Sequence, residues 1–116
     1  MRIVIALFAL IFMSASAMAH GYCYRVESAE KILSLGTLTD MRHEVERRYD
    51  HALDVAMSRR AEHSTSPLFT WAKEAKASCA VALGFMKRWK LERPEVNEEA
   101  IQRCECFHKR MTAHGG

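Results

Sequence analysis

Four cysteines constrain the fold of this chain more than any other feature of its sequence: Cys23, Cys79, Cys104 and Cys106. One residue separates Cys104 from Cys106, and a disulfide between neighbours this close would be strained. Each of the two is therefore expected to bond to Cys23 or Cys79, which leaves two of the three possible pairings.

Helical geometry favours one of these pairings. Residues two positions apart on a helix point about 200° away from each other, so Cys104 would face the core with Ile101 and Phe107 while Cys106 faces outwards. Cys79 lies on the apolar line of another predicted helix. We therefore prefer Cys79–Cys104 inside the core and Cys23–Cys106 outside it. The alternative, Cys23–Cys104 with Cys79–Cys106, stays open.

The N-terminal residues have the pattern of a cleaved export signal. Arg2 precedes an apolar run over residues 3–13, and Ala17-Met18-Ala19 offers the small residues that a signal peptidase recognises. Cleavage after residue 19 leaves 116 minus 19, or 97, residues, and we predict that residues 20–116 form a single helical domain. The apolar run is too short to span a bilayer, so no stable membrane insertion is expected. The predicted location is periplasmic or secreted, where disulfides persist.

Length, charge and motifs exclude several functional classes. With 116 residues, the chain is too short for a doubly wound nucleotide-binding fold or a TIM barrel. Its 17 Lys and Arg nearly balance 14 Asp and Glu, which argues against a nucleic-acid partner. The sequence contains no glycine-rich phosphate loop, Gly-x-Ser-x-Gly elbow or His-Glu-x-x-His pair. We expect no enzymatic activity and no cofactor.

The spacing of apolar residues predicts an all-α fold, a small bundle of about four helices stapled by two disulfides. We expect the first helix over residues 24–35, ended by Gly36, and the second to begin at an N-cap at Thr39. The third follows Ser66-Pro67, and the fourth follows Arg93-Pro94. No run of alternating polarity supports a strand. The last residues, 114–116, are expected to fray.

Three apolar lines define the predicted core. They are Met41, Val45, Tyr49, Ala52, Leu53, Ala56 and Met57; then Leu68, Trp71, Ala75, Cys79, Ala82, Met86 and Trp89; and finally Val96, Ala100, Ile101, Cys104, Phe107 and Met111. The side chains expected opposite the first line, in solvent, are Arg47, His51, Asp54 and Ser58.

Lysines form a stripe on the third predicted helix. Lys73, Lys76, Lys87 and Lys90 fall within about a third of a turn, interleaved with the small residues Ala80 and Gly84. Such a stripe can attract an acidic protein partner or an anionic membrane surface. The alternative is an ordinary solvated face.

Two segments carry possible metal ligands, although we expect no bound metal. The run Cys104-Glu-Cys-Phe-His108 could offer thiolates and an imidazole to copper or zinc, unless its cysteines are oxidised. A mature chain opening His20-Gly-Tyr is similar to the start of the copper-dependent polysaccharide monooxygenases, a likeness of three residues that implies copper at His20.

His43, His51 and His63 do not converge on one helix face, so we interpret them as surface histidines rather than a pH sensor.

The stretch Cys79-Ala-Val-Ala-Leu-Gly84-Phe85, followed by Trp89, Pro94-Glu95 and a helix with Cys104 and Cys106, resembles part of a known family. It is similar to the second half of the periplasmic immunity proteins that protect against type VI secreted amidases. The resemblance covers roughly thirty residues, lacks that family's Cys-x-Pro element and has Cys-x-Cys in place of Pro-Cys. It implies a small exported helical protein that inhibits a cell-wall amidase by binding it.

The leading functional hypothesis is therefore an exported, non-enzymatic binding protein of the cell envelope, and its specific form is an inhibitor or immunity protein. One alternative is periplasmic handling of copper or zinc. Another is an acid-stress chaperone that binds clients when histidines and carboxylates become protonated.

Overall fold

Five helices form the part of the chain that the computed structural model describes, which is residue 23, residues 25–87 and residues 94–116, without the side chains of 94–97. They are α1 (Glu27–Leu33), α2 (Leu38–Ala56), α3 (Arg59–Glu62), α4 (Leu68–Lys87) and α5 (Pro94–Ala113). No strand occurs in these ranges, so the predicted all-α class is confirmed. The predicted signal, His20, Trp89 and Lys90 lie outside the described residues.

The boundaries of α1 and α2 differ from the prediction. Helix α1 covers seven residues and not 24–35, and the chain then turns through Gly36, whose φ is +79°. The N-cap of α2 is Thr37, because its backbone is extended and its hydroxyl accepts the Asp40 N–H at 3.1 Å. The prediction of Thr39 as the cap was wrong, since that residue already lies in the first helical turn.

Helix α3 is a single turn that the sequence prediction missed. Helix α2 ends at Ala56, and the next turn starts at Ser58, whose hydroxyl accepts the Ala61 N–H at 3.2 Å. The break turns Met57 into solvent, with 78% of it exposed, so its predicted core position was wrong. Ala61 is buried in its place.

Helix α4 packs against both α2 and α5, and the core lies along these contacts. Alanines on the inner side of α4 allow the neighbouring helices to approach closely. The core residues form two clusters: Ala29, Ile32, Met41, Val45, Cys79, Ala82, Met86, Ala100, Ile101 and Cys104, and then Ala52, Ala61, Leu68, Ala72, Ala75 and Met111. Tyr49, Trp71 and Phe107 are only partly buried.

The preferred disulfide pairing is confirmed. Cys79 and Cys104 join α4 to α5 with their Cα atoms 4.4 Å apart, and Cys23 bonds to Cys106 across a Cα distance of 5.4 Å. The expectation that Cys106 lies outside the core was wrong, because only 4% of it is exposed.

Helix α1 packs against α5. Gln102 on α5 is buried, and its side-chain oxygen accepts the Val26 N–H at 3.0 Å. Its side-chain nitrogen donates to Glu30 at 2.9 Å. Both hydrogen-bonding groups of the Gln102 side chain are thus used, and they tie the start of α1 to α5.

The last residues are ordered, so the prediction of a frayed end was wrong. Gly115 has a φ of +94°, and its N–H donates to the Thr112 carbonyl at 3.1 Å, while the Gly116 N–H donates to the Met111 carbonyl at 3.1 Å. This pair of bonds is the Schellman arrangement that ends a helix at glycine. His114 stacks on Trp71 with ring centroids 6.3 Å apart.

Candidate functional site

The outward face of α4 consists of exposed apolar and small residues: Phe69, Ala77, Ala80, Val81, Gly84 and Phe85. It exists because α2 and α5 both pack on the opposite side of the helix, where Ala72, Ala75 and Cys79 are fully buried. Val81 is 53% exposed, and Phe69 and Phe85 are also among the large apolar side chains in solvent. Neighbouring exposed apolar residues on one helix face are a feature of protein interaction sites.

The predicted lysine stripe borders this face. Lys73 and Lys87 are exposed and Lys76 is half-buried, while Lys90 lies outside the described residues. The Lys73 ammonium lies 5.4 Å from the centroid of the Phe69 ring, within the range of a cation–π contact. The ion pairs among the described residues join Glu44, Arg47, Arg48 and Glu105, so none of them neutralises a lysine of α4.

A second polar group lies between α2 and α5, and we call it the polar seam: Arg48 and His51 on α2 with Glu105 and His108 on α5. Arg48 Nε donates to the Glu105 carboxylate, and Arg48 Nη1 donates to the Glu44 carboxylate at 2.7 Å. Glu105 is buried between the two disulfide-bonded cysteines of α5. A carboxylate at this depth requires a charged partner, which Arg48 provides.

The two histidines of the seam face each other. Nδ1 of His51 and Nε2 of His108 lie 2.9 Å apart, and the rings meet edge to face at an interplanar angle of 67°. Both this pair and the Arg48–Glu105 pair join residues 57 positions apart in the sequence. His51 follows Arg48 by three residues, and its partner His108 follows Glu105 by three residues. Helices α2 and α5 therefore run in the same direction here.

Burial and charge set the protonation of the seam. Burial lowers the pKa of His108 to about 4; the negative charge of Glu105 opposes this shift, whereas His51, Arg48 and Arg47 add to it. Burial also disfavours the charged form of Arg48, but the hydrogen bonds that Arg48 donates to Glu105 and Glu44 outweigh this effect and raise the pKa of Arg48 above its usual value. His108 is therefore neutral near pH 7, next to a charged ion pair.

These positions correct one expectation and exclude one alternative. His51 was predicted to lie in solvent with Arg47 and Asp54, but α5 covers its flank of α2 and it is half-buried. Cys104 and Cys106 are both in disulfides, so they offer no thiolate to a metal. His43 and His63 are exposed, as predicted.

One signal in the sequence could have revealed the seam. Arg48 and His51 are three residues apart on one predicted helix, and Glu105 and His108 have the same spacing on another. Equal spacing lets both pairs meet at once if the helices lie side by side. Among the residues that the structure describes, no group of three or more His, Cys, Asp or Glu is arranged to hold a metal ion.

Comparison of the chain with protein-family models, with curated proteins and with solved structures finds no match.

Within the described ranges, none of the helices combines the length and the apolar character needed to cross a membrane. The two disulfides point to an oxidising location outside the cytoplasm.

Proposed function

We propose that this protein is an exported, non-enzymatic binding protein of the cell envelope, an inhibitor or immunity protein whose partner docks on the outward face of α4. The exposure of Val81, Phe69 and Phe85 on this face is the observation that carries the proposal. A few residues near the centre of an interface supply most of its binding energy once water is excluded. The predicted signal implies export of the protein from the cytoplasm, and the two disulfides agree with this location.

The opposite side of α4 makes this face rigid. Cys79 is fully buried and bonds to Cys104, so the helix is covalently held to α5 directly behind the proposed interface. Binding to a rigid surface loses less conformational entropy than binding to a loop that must first be ordered. A small helical domain with such a face is suited to a stable inhibitory complex.

The charge of the face indicates the kind of partner. Helix α4 carries three lysines, Lys73, Lys76 and Lys87, and Glu74 as its acidic residue. A cationic border favours an acidic partner and accelerates its association at low ionic strength. We propose that these lysines lie along one flank of the apolar centre of the interface.

The family resemblance points to the same surface. The stretch over residues 79–85 that resembles amidase immunity proteins belongs to α4, and it includes Val81, Gly84 and Phe85 of the outward face. We therefore propose a cell-wall amidase as the partner, with its acidic surface against α4.

The experiment measures inhibition of a purified cell-wall amidase that is recovered from envelope extract on the immobilised protein. We expect one molecule of this protein to inhibit one amidase, and Val81→Asp to weaken binding by more than about tenfold, because a charge replaces an apolar contact at the centre. The matched control is Met57→Asp, which places the same carboxylate at another exposed apolar position.

The lysines are tested in the same assay. Lys76→Glu with Lys87→Glu should slow association and flatten its dependence on salt. Lys31→Glu with Lys109→Glu changes the net charge equally at exposed positions on α1 and α5, and should have a much smaller effect. Wild-type affinity in the Val81→Asp variant, or catalytic turnover by the protein itself, would refute the proposal.

A further inference from the structure

The histidine pair of the polar seam has no role in the proposed interface, since His51 and His108 belong to α2 and α5 and not to α4. Surface histidines normally point into water and away from each other. Here two of them from different helices direct ring nitrogens at one point.

We propose that His51 and His108 form an interhelical site for one divalent transition-metal ion, zinc or copper, bound by Nδ1 of His51 and Nε2 of His108. Imidazole nitrogen is a preferred ligand of both metals. The site differs from both segments that the sequence suggested, which are His20 and the run Cys104–His108, although it shares His108 with that run.

The observed geometry is close to that of a metal-bound pair. The two nitrogens are 2.9 Å apart, and with metal–nitrogen bonds of about 2.0–2.1 Å in a tetrahedral site they would be roughly 3.3 Å apart. The two nitrogens must therefore move apart by roughly 0.4 Å for an ion to bind. In the metal-free pair one ring donates its N–H to the other; in the bound pair that proton moves to the nitrogen facing away from the metal, so each imidazole stays neutral.

The surroundings favour a metal over a second proton. Burial keeps the His108 ring neutral near pH 7, so metal binding there does not compete with protonation until the solution is acidic. Glu105 holds negative charge one helical turn before His108, while its hydrogen bond with Arg48 leaves it an outer partner and not a ligand. Both histidines are half-buried, which leaves the remaining coordination positions open to water.

The test is calorimetry of zinc chloride and copper(II) chloride binding to the oxidised, metal-free protein at pH 7.5. We expect one ion per chain at the pair, and affinity at least about tenfold lower in His51→Asn and in His108→Asn, a change of about 1.4 kcal/mol or more. The matched control is His43→Asn with His63→Asn, because both side chains are exposed. His20→Ala should also keep the zinc site.

A second measurement uses the wild-type protein, so it does not require the variants to fold. In the wild-type protein, saturating zinc should shift the side-chain ¹⁵N resonances of His51 and His108 and leave those of His43 and His63 in place. The absence of saturable binding, wild-type affinity in the His51→Asn/His108→Asn double variant, or shifts confined to other histidines would each overturn the proposal.

Discussion

Arg48 on α2 donates a hydrogen bond to the carboxylate of Glu105 on α5, and Glu105 stands in the sequence between Cys104 and Cys106, the two residues of α5 that form the disulfides. The ion pair therefore joins α2 to the helix that already carries both covalent links. It is well shielded, since only 13% of the Arg48 side chain is exposed.

Removing one partner of this pair should destabilise the fold strongly. We expect Arg48→Met to lower the free energy of unfolding by about 3–5 kcal/mol, because Glu105 stays buried without its cation. Arg47→Met is the control: that side chain is 67% exposed, and its loss should cost less than about 1 kcal/mol. Urea denaturation measures both. The double variant Arg48→Met/Glu105→Leu should recover much of the loss, and equal effects of the two single arginine variants would contradict this account.

Acid should weaken the fold through His108. Its pKa is about 4 in the folded protein and about 6.5 in an unfolded chain, so between these values the unfolded chain binds a proton that the folded protein does not. The free energy of unfolding therefore decreases as the pH falls from about 6.5 to about 4 and is independent of this group outside that range. Because the ring is partly solvated, we expect a loss of about 1–2 kcal/mol.

Urea titrations at several pH values across this range test the effect. His108→Gln should show a shallower loss of stability in acid than the wild type, whereas His43→Gln should behave like the wild type because that side chain is exposed. Identical pH profiles for the wild type and His108→Gln would disprove the assignment. The acid-stress chaperone hypothesis further requires client binding to appear over the same interval.

The two disulfides should differ in their resistance to reduction. Cys79 and Cys104 are fully buried, whereas Cys23 is partly exposed and offers a sulfur to a reductant in the folded state. Limited reduction followed by alkylation and mass spectrometry should find Cys23–Cys106 opened first. Earlier alkylation of Cys79 would contradict this order.

Removing the exposed link should also lower stability. Cys23→Ala with Cys106→Ala opens a loop with a sequence separation of 83, and the loop-entropy relation predicts a loss of about 4.5 kcal/mol. The same relation gives about 3.5 kcal/mol for the link of separation 25 between Cys79 and Cys104. Chemical denaturation of each oxidised double variant measures these losses.

Two glycines should respond to alanine in opposite directions. Gly36 has a φ of +79°, so Gly36→Ala should cost about 1–2 kcal/mol of backbone strain although no atom lies within 4 Å of the new methyl group. Gly84 is helical and equally uncrowded, so Gly84→Ala should stabilise the fold by about 0.5–1 kcal/mol. Thermal denaturation distinguishes the two signs. Because Gly84 belongs to the outward face of α4, its variant should bind the partner no better despite its greater stability.

Helix content and disulfide pairing could be predicted because both depend on local geometry. The spacing of Leu68, Ala75 and Cys79 places them on one side of any regular helix, whatever the rest of the chain does. The same rule turns Cys104 and Cys106 to different sides of α5 and led to the observed pairing, although Cys106 is buried as well. The lysine stripe follows from the same periodicity, although its role in binding stays a prediction.

The helix boundaries were harder to predict from the sequence, because alternative N-cap residues differ little in the free energy that they contribute. Thr37 and Thr39 are both residue types that favour an N-cap, and in the structure it is Thr37, directly after the turn at Gly36, that has the extended backbone of a cap. The break between α2 and α3 likewise depends on Ser58 capping a new turn instead of continuing the old one.

The sequence by itself determined which residues share a helix face, since that depends on a repeat of about 3.6 residues within each segment. Only the tertiary structure decided which flank of each face is covered. Cys106 is buried and bonded to Cys23, and the parallel alignment of α2 with α5 brings His51 to His108. These contacts depend on how far one helix is shifted along another, a quantity set by packing between distant segments and absent from the periodicity of either one.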